Sequence, residues 1–357
     1  MLDRQLFDHF RIYLDDVLYV GDDLVVLANG DEYLVRTIDE RNMNQLDEQI
    51  NMANWLRYYG ERGLAQYVKP EGDRKAISHD GGEAVLFSIE KPHFQDINTF
   101  NVDKIGTRLA KFHEKGMTYS PQYTKNTEMT FGISAWKLKW ERRLDQLEKW
   151  YVRMRQERMK TDLDEQFLIS FPYYLGLCEN AIQMTADLLI DEPVLSAGGN
   201  TICHHRFREN TWLTVHEHEL SSLKVPTDFL YDHYTRDITE YVRSYWMNEE
   251  ESNQLHIINE FLNDYEAYHP LSLFDQKLLL ARCMFPTHYF EQIEAYYQTV
   301  YSEERASMRQ NCMNLFDRSA DYEKLFLYLT TRYPHLQKTN HCPLWFQTPS
   351  IKHSSYV

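Results

Sequence analysis

Glycine and proline are scarce in this chain, at 13 and 11 of 357 residues. So few breakers argue against a long flexible linker or a disordered segment. Cysteine is scarcer still. Cys178, Cys203, Cys283, Cys312 and Cys342 are odd in number and no two stand at CxxC spacing. That argues against a disulfide framework or a cysteine-built zinc knuckle, and reads instead as buried apolar filling. No apolar run approaches the roughly 20 residues that span a bilayer. The opening MLDRQLFDHF is charged and lacks the apolar segment of a signal peptide, so synthesis in the cytoplasm is the expectation. Positive charge is also short: 38 Lys and Arg face 54 Asp and Glu, a formal net charge of −16. An acidic surface repels nucleic acid and anionic membranes, and neither is an expected partner.

What the chain does have is the composition of a soluble globular protein, 43% hydrophobic and 26% charged. The length suits two domains, or one large domain with two lobes. Tyrosine is abundant at 25 residues. Tyrosine offers large contact area at low entropy cost, and it permits oxidative cross-linking between chains.

The first ninety residues read as strands around one helix. VLYV, DLVVLANG and DEYLVRTI cluster β-branched residues, and Asn29-Gly30-Asp31 is a hairpin signal between two of them. The stretch MNQLDEQINMANWLRYYG has helical spacing and a stop at Gly60. KAISHDGGEA and AVLFSIEKP then predict two strands about a Gly81-Gly82 turn. After Pro92 the periodicity becomes helical. Residues 102–116 form an amphipathic helix, with Ile105, Leu109, Phe112 and His113 on one face. His113 there reads as a satisfied core histidine. A long helix follows Ser134, with Trp136 and Trp140 in its apolar stripe and a Lys/Arg-rich opposite face. That basic face reads first as solvated and second as a recognition surface for an acidic partner. Another helix covers roughly 170–190, two short β-like runs follow, and the chain is helical from Tyr231. The division predicted is 1–92 as a small β-rich lobe, 93–342 as a large helical lobe and 343–357 as a loose tail.

Three stretches carry a family resemblance. IGTRLAKFHEKG (Ile105–Gly116) resembles the helix that opens the large lobe of aminoglycoside and choline phosphotransferase-like kinases. TICHHRFRENTWLTV (Thr201–Val215) resembles the catalytic loop of that superfamily, which reads roughly I-x-H-G-D-x-H-x-x-N-hydrophobic. MFPTHYFEQIEAYY (Met284–Tyr297) resembles the late FP-x-x-[YF] helix of the CotS-like spore-coat branch, and the whole chain is most similar to the YutH-like group within it. The resemblance implies an α+β, two-lobed, protein-kinase-like fold and a place on the bacterial endospore coat. The protein would be made in the mother-cell cytoplasm and would have other coat proteins as partners.

Carried over position by position, the resemblance also implies a damaged active site. The loop Asp that accepts the substrate proton in such kinases falls at Arg206, which is permanently cationic and cannot act as a base. The metal-holding Asn falls at Thr211, or at Asn210 with one gap. The second metal-holding group is sought in VHEHEL, where His216 and Glu217 are the candidates, with His218 and Glu219 just behind and no Asp present; Glu217 or Glu219 could supply oxygen to Mg²⁺. The phosphate-pairing Lys falls at Arg36, with Glu48 as its expected partner. No G-x-G-x-x-G stands near Val20–Leu27 to cradle phosphates. A pseudokinase is therefore expected, without cofactor; ATP and Mg²⁺ enter only with residual phosphotransferase or nucleotide-binding activity. His204, His205, His216 and His218 form a histidine cluster. A zinc site from His204, His216, His218 and Glu217 is the weaker reading, and a structural role for His204 the stronger.

Overall fold

The computed structural model describes residues 2–20, 23–90, 104–121, 132–193, 198–214, 222–248, 251–299, 302–338 and 342. The chain divides into two compact units: Met1–Thr127 with Asn200–Tyr241 and Asn259–His269, and Glu128–Gly199 with Val242–Ile258 and Pro270–Val357.

The first unit is built on a six-stranded sheet. Its strands are β1 (Asp16–Val20), β2 (Asp23–Ala28), β3 (Asp31–Ile38), β4 (Gln66–Val68), β5 (Ile77–His79) and β6 (Gly82–Ile89), in the order β1-β2-β3-β6-β4, with β5 also on β6. Asn29 and Gly30 both take positive φ, as the tight turn between β2 and β3 requires. Alternation sends Val25, Leu34, Val85 and Phe87 to one face, where Leu46 of helix α2 (Glu40–Tyr58) joins them. It sends Leu24, Val26, Val35, Ala84 and Leu86 to the other, where Leu6 of helix α1 (Leu2–Phe10) joins them. Both faces are covered, which is why these strands read as near-continuous apolar runs. The expectation of one helix in this region is corrected here: α1 is the second. Its many charges hid a single buried leucine that seals the far face of the sheet.

The helix predicted over 102–116 is α3 (Ile105–Gly116). Its two glycines are places of close backbone approach. A Cβ at Gly106 would stand 2.3 Å from the Phe261 carbonyl oxygen, and one at Gly116 would stand 2.4 Å from Thr201 Oγ1. Strand β7 (Asn200–His204) pairs antiparallel with β10 (Phe229–His233), and β8 (Leu213–Thr214) with β9 (Ser222–Leu223). Helices α6 (Thr235–Asn248) and α7 (Glu251–Tyr268) contribute to both units.

The second unit is helical. It holds α4 (Ile133–Gln156), α5 (Asp162–Asp191), α8 (Leu273–Met284), α9 (Thr287–Gln298), α10 (Ser302–Asp317) and α11 (Ser319–Arg332). The segment read as a helix over roughly 170–190 starts earlier, because Thr161 and Asp164 cap each other's backbone reciprocally. The MFPTHYF stretch has a packing rationale. Phe285 stacks on Trp140 at 4.6 Å and 6°, and Tyr289 stacks on Tyr174 at 3.7 Å. Trp136 and Trp140 are thus core residues, buried along the α4 stripe.

Two glycines make a matched test of this packing. Gly106→Ala drives a methyl into the backbone of α7 and is expected to cost about 1–3 kcal/mol. Gly176→Ala, in α5 with nothing within 4 Å of the new methyl, is expected to gain up to about 1 kcal/mol. Chemical denaturation of the two variants checks the contrast, and equal effects would remove the close-approach account.

Candidate functional site: a kinase loop with its scaffold kept

All groups of the site belong to the first unit. At its centre is the Asp237 carboxylate, fully buried in the first turn of α6. It accepts hydrogen bonds from the His204 backbone N–H at 3.0 and 3.1 Å, from His204 Nδ1 at 2.7 Å and from His113 Nε2 at 3.2 Å. The Trp212 indole N–H can only donate, and it donates to His204 Nε2 at 3.0 Å. His204 is therefore neutral, with its proton on Nδ1 facing Asp237. The other ring nitrogen of His113, Nδ1, bonds the Tyr265 hydroxyl at 2.8 Å. Burial would push the Asp237 carboxyl up. The hydrogen bonds it accepts from His204 and His113 outweigh that and hold it well below the usual carboxylate range.

The neighbouring Arg236 completes the grip. Its guanidinium donates to the carbonyls of His204 at 3.0 Å and His205 at 2.9 Å, and pairs with Asp232 at 3.0 Å. The strand end is held by its N–H on one side and its carbonyls on the other. Beyond it, Phe207 is buried against His204 and Trp212. Thr211 closes the turn: its hydroxyl donates to the Arg206 carbonyl at 2.9 Å and accepts the Arg208 N–H at 2.7 Å. Arg206 and Asn210 are exposed on this turn. The metal-ligand position assigned to Thr211 is thus occupied by a hydroxyl already spent on the backbone.

Arg36 sits on β3 with both ends of its guanidinium engaged. Nε and Nη2 make a bidentate pair with Asp23 at 2.7 and 2.5 Å, and Nη1 pairs with Asp228 at 2.7 Å. Its side chain is 16% exposed. Burial would lower its pKa, but the two carboxylates more than compensate and raise it.

One expectation is corrected by this arrangement. Arg36 does not pair with Glu48, whose carboxylate accepts the Tyr119 hydroxyl at 2.6 Å; the α2 residue facing the site is the next one, Gln49. Its buried side-chain amide donates to the carbonyls of Thr227 at 3.1 Å and Phe229 at 3.4 Å, on either side of Asp228. VHEHEL holds no Asp, and an acid outside that segment, Asp228, stands beside Arg36 where the chain enters β10. His216, Glu217, His218 and Glu219 lie outside the described residues.

Lys224 and Glu61, which no motif flagged, help fix Asp228. Lys224 is buried, exchanges backbone hydrogen bonds with Gly63 and Ala65, and pairs with Glu61 at 2.9 Å. As for a metal, potential ligand atoms of His113, Cys203 and Asp237 lie within 4.8 Å of one another. The two nitrogens of His113 and the carboxylate of Asp237 are already committed to the hydrogen bonds above, as are both nitrogens of His204.

The fold is that of the kinase-like phosphotransferases. An aminoglycoside phosphotransferase from Alicyclobacillus acidocaldarius superposes with a TM-score of 0.59 at 12% identity, over 90% of this chain and 93% of that one. Spectinomycin phosphotransferase, crystallised with ADP and spectinomycin, gives 0.58 at 13% identity over 90% and 95%. A family model described as "Spore coat putative kinase YutH" matches residues 3–328. The endospore coat-associated protein YutH of Bacillus subtilis (strain 168) is 33% identical over 272 residues, 76% of each chain. The chain belongs to the YutH family of spore-coat kinase-like proteins.

The depressed Asp237 pKa has a direction in pH. Because the folded state holds this carboxyl ionised more strongly than the unfolded chain, its stabilisation is fully present above about pH 4 and is lost as pH falls below that. Asp237→Asn is expected to cost about 3–5 kcal/mol at neutral pH, as for a broken buried pair. The gap to the parent should narrow steadily in acid. Denaturant midpoints from pH 7 to pH 3 check this, and a pH-independent gap would contradict it.

Proposed function

We propose that this protein is a catalytically retired kinase fold that serves as a structural or assembly component of the bacterial endospore coat, with other coat proteins as its partners. The observation that carries the reading is the state of Arg36. The cation that would meet a nucleotide's phosphates is bound bidentately by Asp23 and again by Asp228. A triphosphate would have to displace a well-formed carboxylate pair and then lie beside that carboxylate.

The loop adds to this. Arg206 cannot take a proton, and loss of a general base alone costs about two to four powers of ten in rate. Thr211 is spent on its own turn. Among the described residues, the engaged Arg36 and Thr211 do not suit a Mg²⁺–nucleotide complex. The relative's name places it at the endospore coat, and none of the described helices is long and apolar enough to cross a membrane. That relationship supports the further part of the proposal, deposition on the coat after synthesis in the mother cell.

A second reading, a residual small-molecule phosphotransferase or nucleotide binder, draws on one observation. Asp228 keeps an acid where a metal-holding group belongs in this fold. Calorimetric titration of MgATP to millimolar concentration separates the two. The expected result for the parent protein is no saturable heat and no thermal shift. Stoichiometric MgATP binding by the unaltered chain would overturn the retired-kinase reading.

A further inference from the structure

The net charge of −16 is unevenly distributed. Residues 137–160 hold nine Lys or Arg against four Asp or Glu, a local net charge of +5. Most of that stretch is α4. Lys139, Arg142, Lys149 and Arg153 recur at spacings that keep them within an arc of about 80° on a helix. All four are exposed, and the buried Trp136, Trp140, Leu144 and Leu147 occupy another side. Arg142 and Lys149 have no carboxylate partner among the described residues, and Arg153 has a loose one, Glu157 at 3.8 Å. Exposed Leu138 borders the stripe.

The first fifty residues are the complement, with twelve Asp or Glu against four Lys or Arg, a net −8. Strand register gathers three of these acids at one end of the sheet. Asp16 pairs with Leu27, and Ala28 pairs with Asp31, so Asp15, Asp16 and Asp31 cluster there. All three are exposed, and none has a basic partner among the described residues. They adjoin edge strand β1, where Tyr13, Leu18 and Tyr19 are 62%, 50% and 79% exposed. Acids beside exposed aromatic and aliphatic side chains match a basic stripe bordered by a leucine, in both charge and polarity.

We propose that the basic stripe of α4 docks on the acidic sheet end of a second copy of this chain. The two surfaces differ, so the contact is heterologous: every copy that uses one surface keeps the other available, and association continues into rings or open arrays. Repulsion between acidic copies does not prevent this. Charges farther apart than about 8 Å are largely screened at physiological ionic strength, so the apposed groups decide. The proposal is independent of the retired-kinase reading, since an active enzyme could assemble the same way.

The test is sedimentation of the full-length chain over a concentration series, at low (about 0.15 M) and high (about 0.5 M) salt. The mean mass is expected to rise with concentration past twice that of a single chain in low salt, and to return to one chain in high salt. The triple reversals Arg142→Glu/Lys149→Glu/Arg153→Glu and Asp15→Lys/Asp16→Lys/Asp31→Lys are each expected to be monomeric in low salt, because each then opposes like charges. Mixed in equal amounts they are expected to assemble again, since each supplies the surface complementary to the other. A parent chain that stays monomeric in low salt overturns the proposal. So does a parent assembly that survives high salt, or a mixture that stays monomeric. The salt series needs no variant and decides the matter even if a reversal impairs folding; an array held by a different, acidic coat partner would leave the pure chain monomeric.

Discussion

One buried carboxylate holds the first unit's functional region in shape. Asp237 takes the backbone and ring of His204 on one side and the ring of His113 on the other, and so ties β7, α3 and α6 to a single point. A charge taken out of water at that depth survives only when every lone pair is used. Here the donors are fixed by their own neighbours: Trp212 orients His204 and Tyr265 orients His113. Removing any member leaves another polar group stranded, so the network stands or falls together. The close passages at Gly106 and Gly116 belong to the same constraint, since α3 must approach α7 and β7 closely for His113 to reach Asp237.

Arg36 follows an opposite logic. A cation in this position of a kinase-like fold is useful when it is available to a ligand, and here it is consumed internally. Asp23 approaches from β2 and Asp228 from the turn just before β10, and Gln49 and Lys224 brace the segment that carries Asp228. The pair stabilises the unit while removing the electrostatic attraction that a phosphate chain would need. The groups that shape the loop are engaged with one another, and Arg36 and Thr211 are engaged within the fold as well.

Much of the fold was legible where local signals and packing agree. Asn29-Gly30 marked its hairpin, the α3 face of Ile105, Leu109, Phe112 and His113 marked a packed helix, and the Trp136–Trp140 stripe marked a core. Signals that depend on distant partners were not legible. Helix α1 hides one buried leucine among charges. Asp228 sits among short strands whose pairing, rather than periodicity, defines them, so nothing local marked it as a partner of Arg36. The assignment of Glu48 missed by one residue, which on a helix turns a side chain by about 100°. Arg236, which shapes the loop more directly than any residue flagged in advance, had no local signature at all.

The turn that displays Arg206 is gripped by side chains from both ends: Arg236 and Asp237 hold the strand that leads into it, Phe207 anchors it in the core and Thr211 ties its far side to its near side. Its backbone path is therefore set before any ligand arrives, and whatever meets the exposed face of this loop meets a rigid surface.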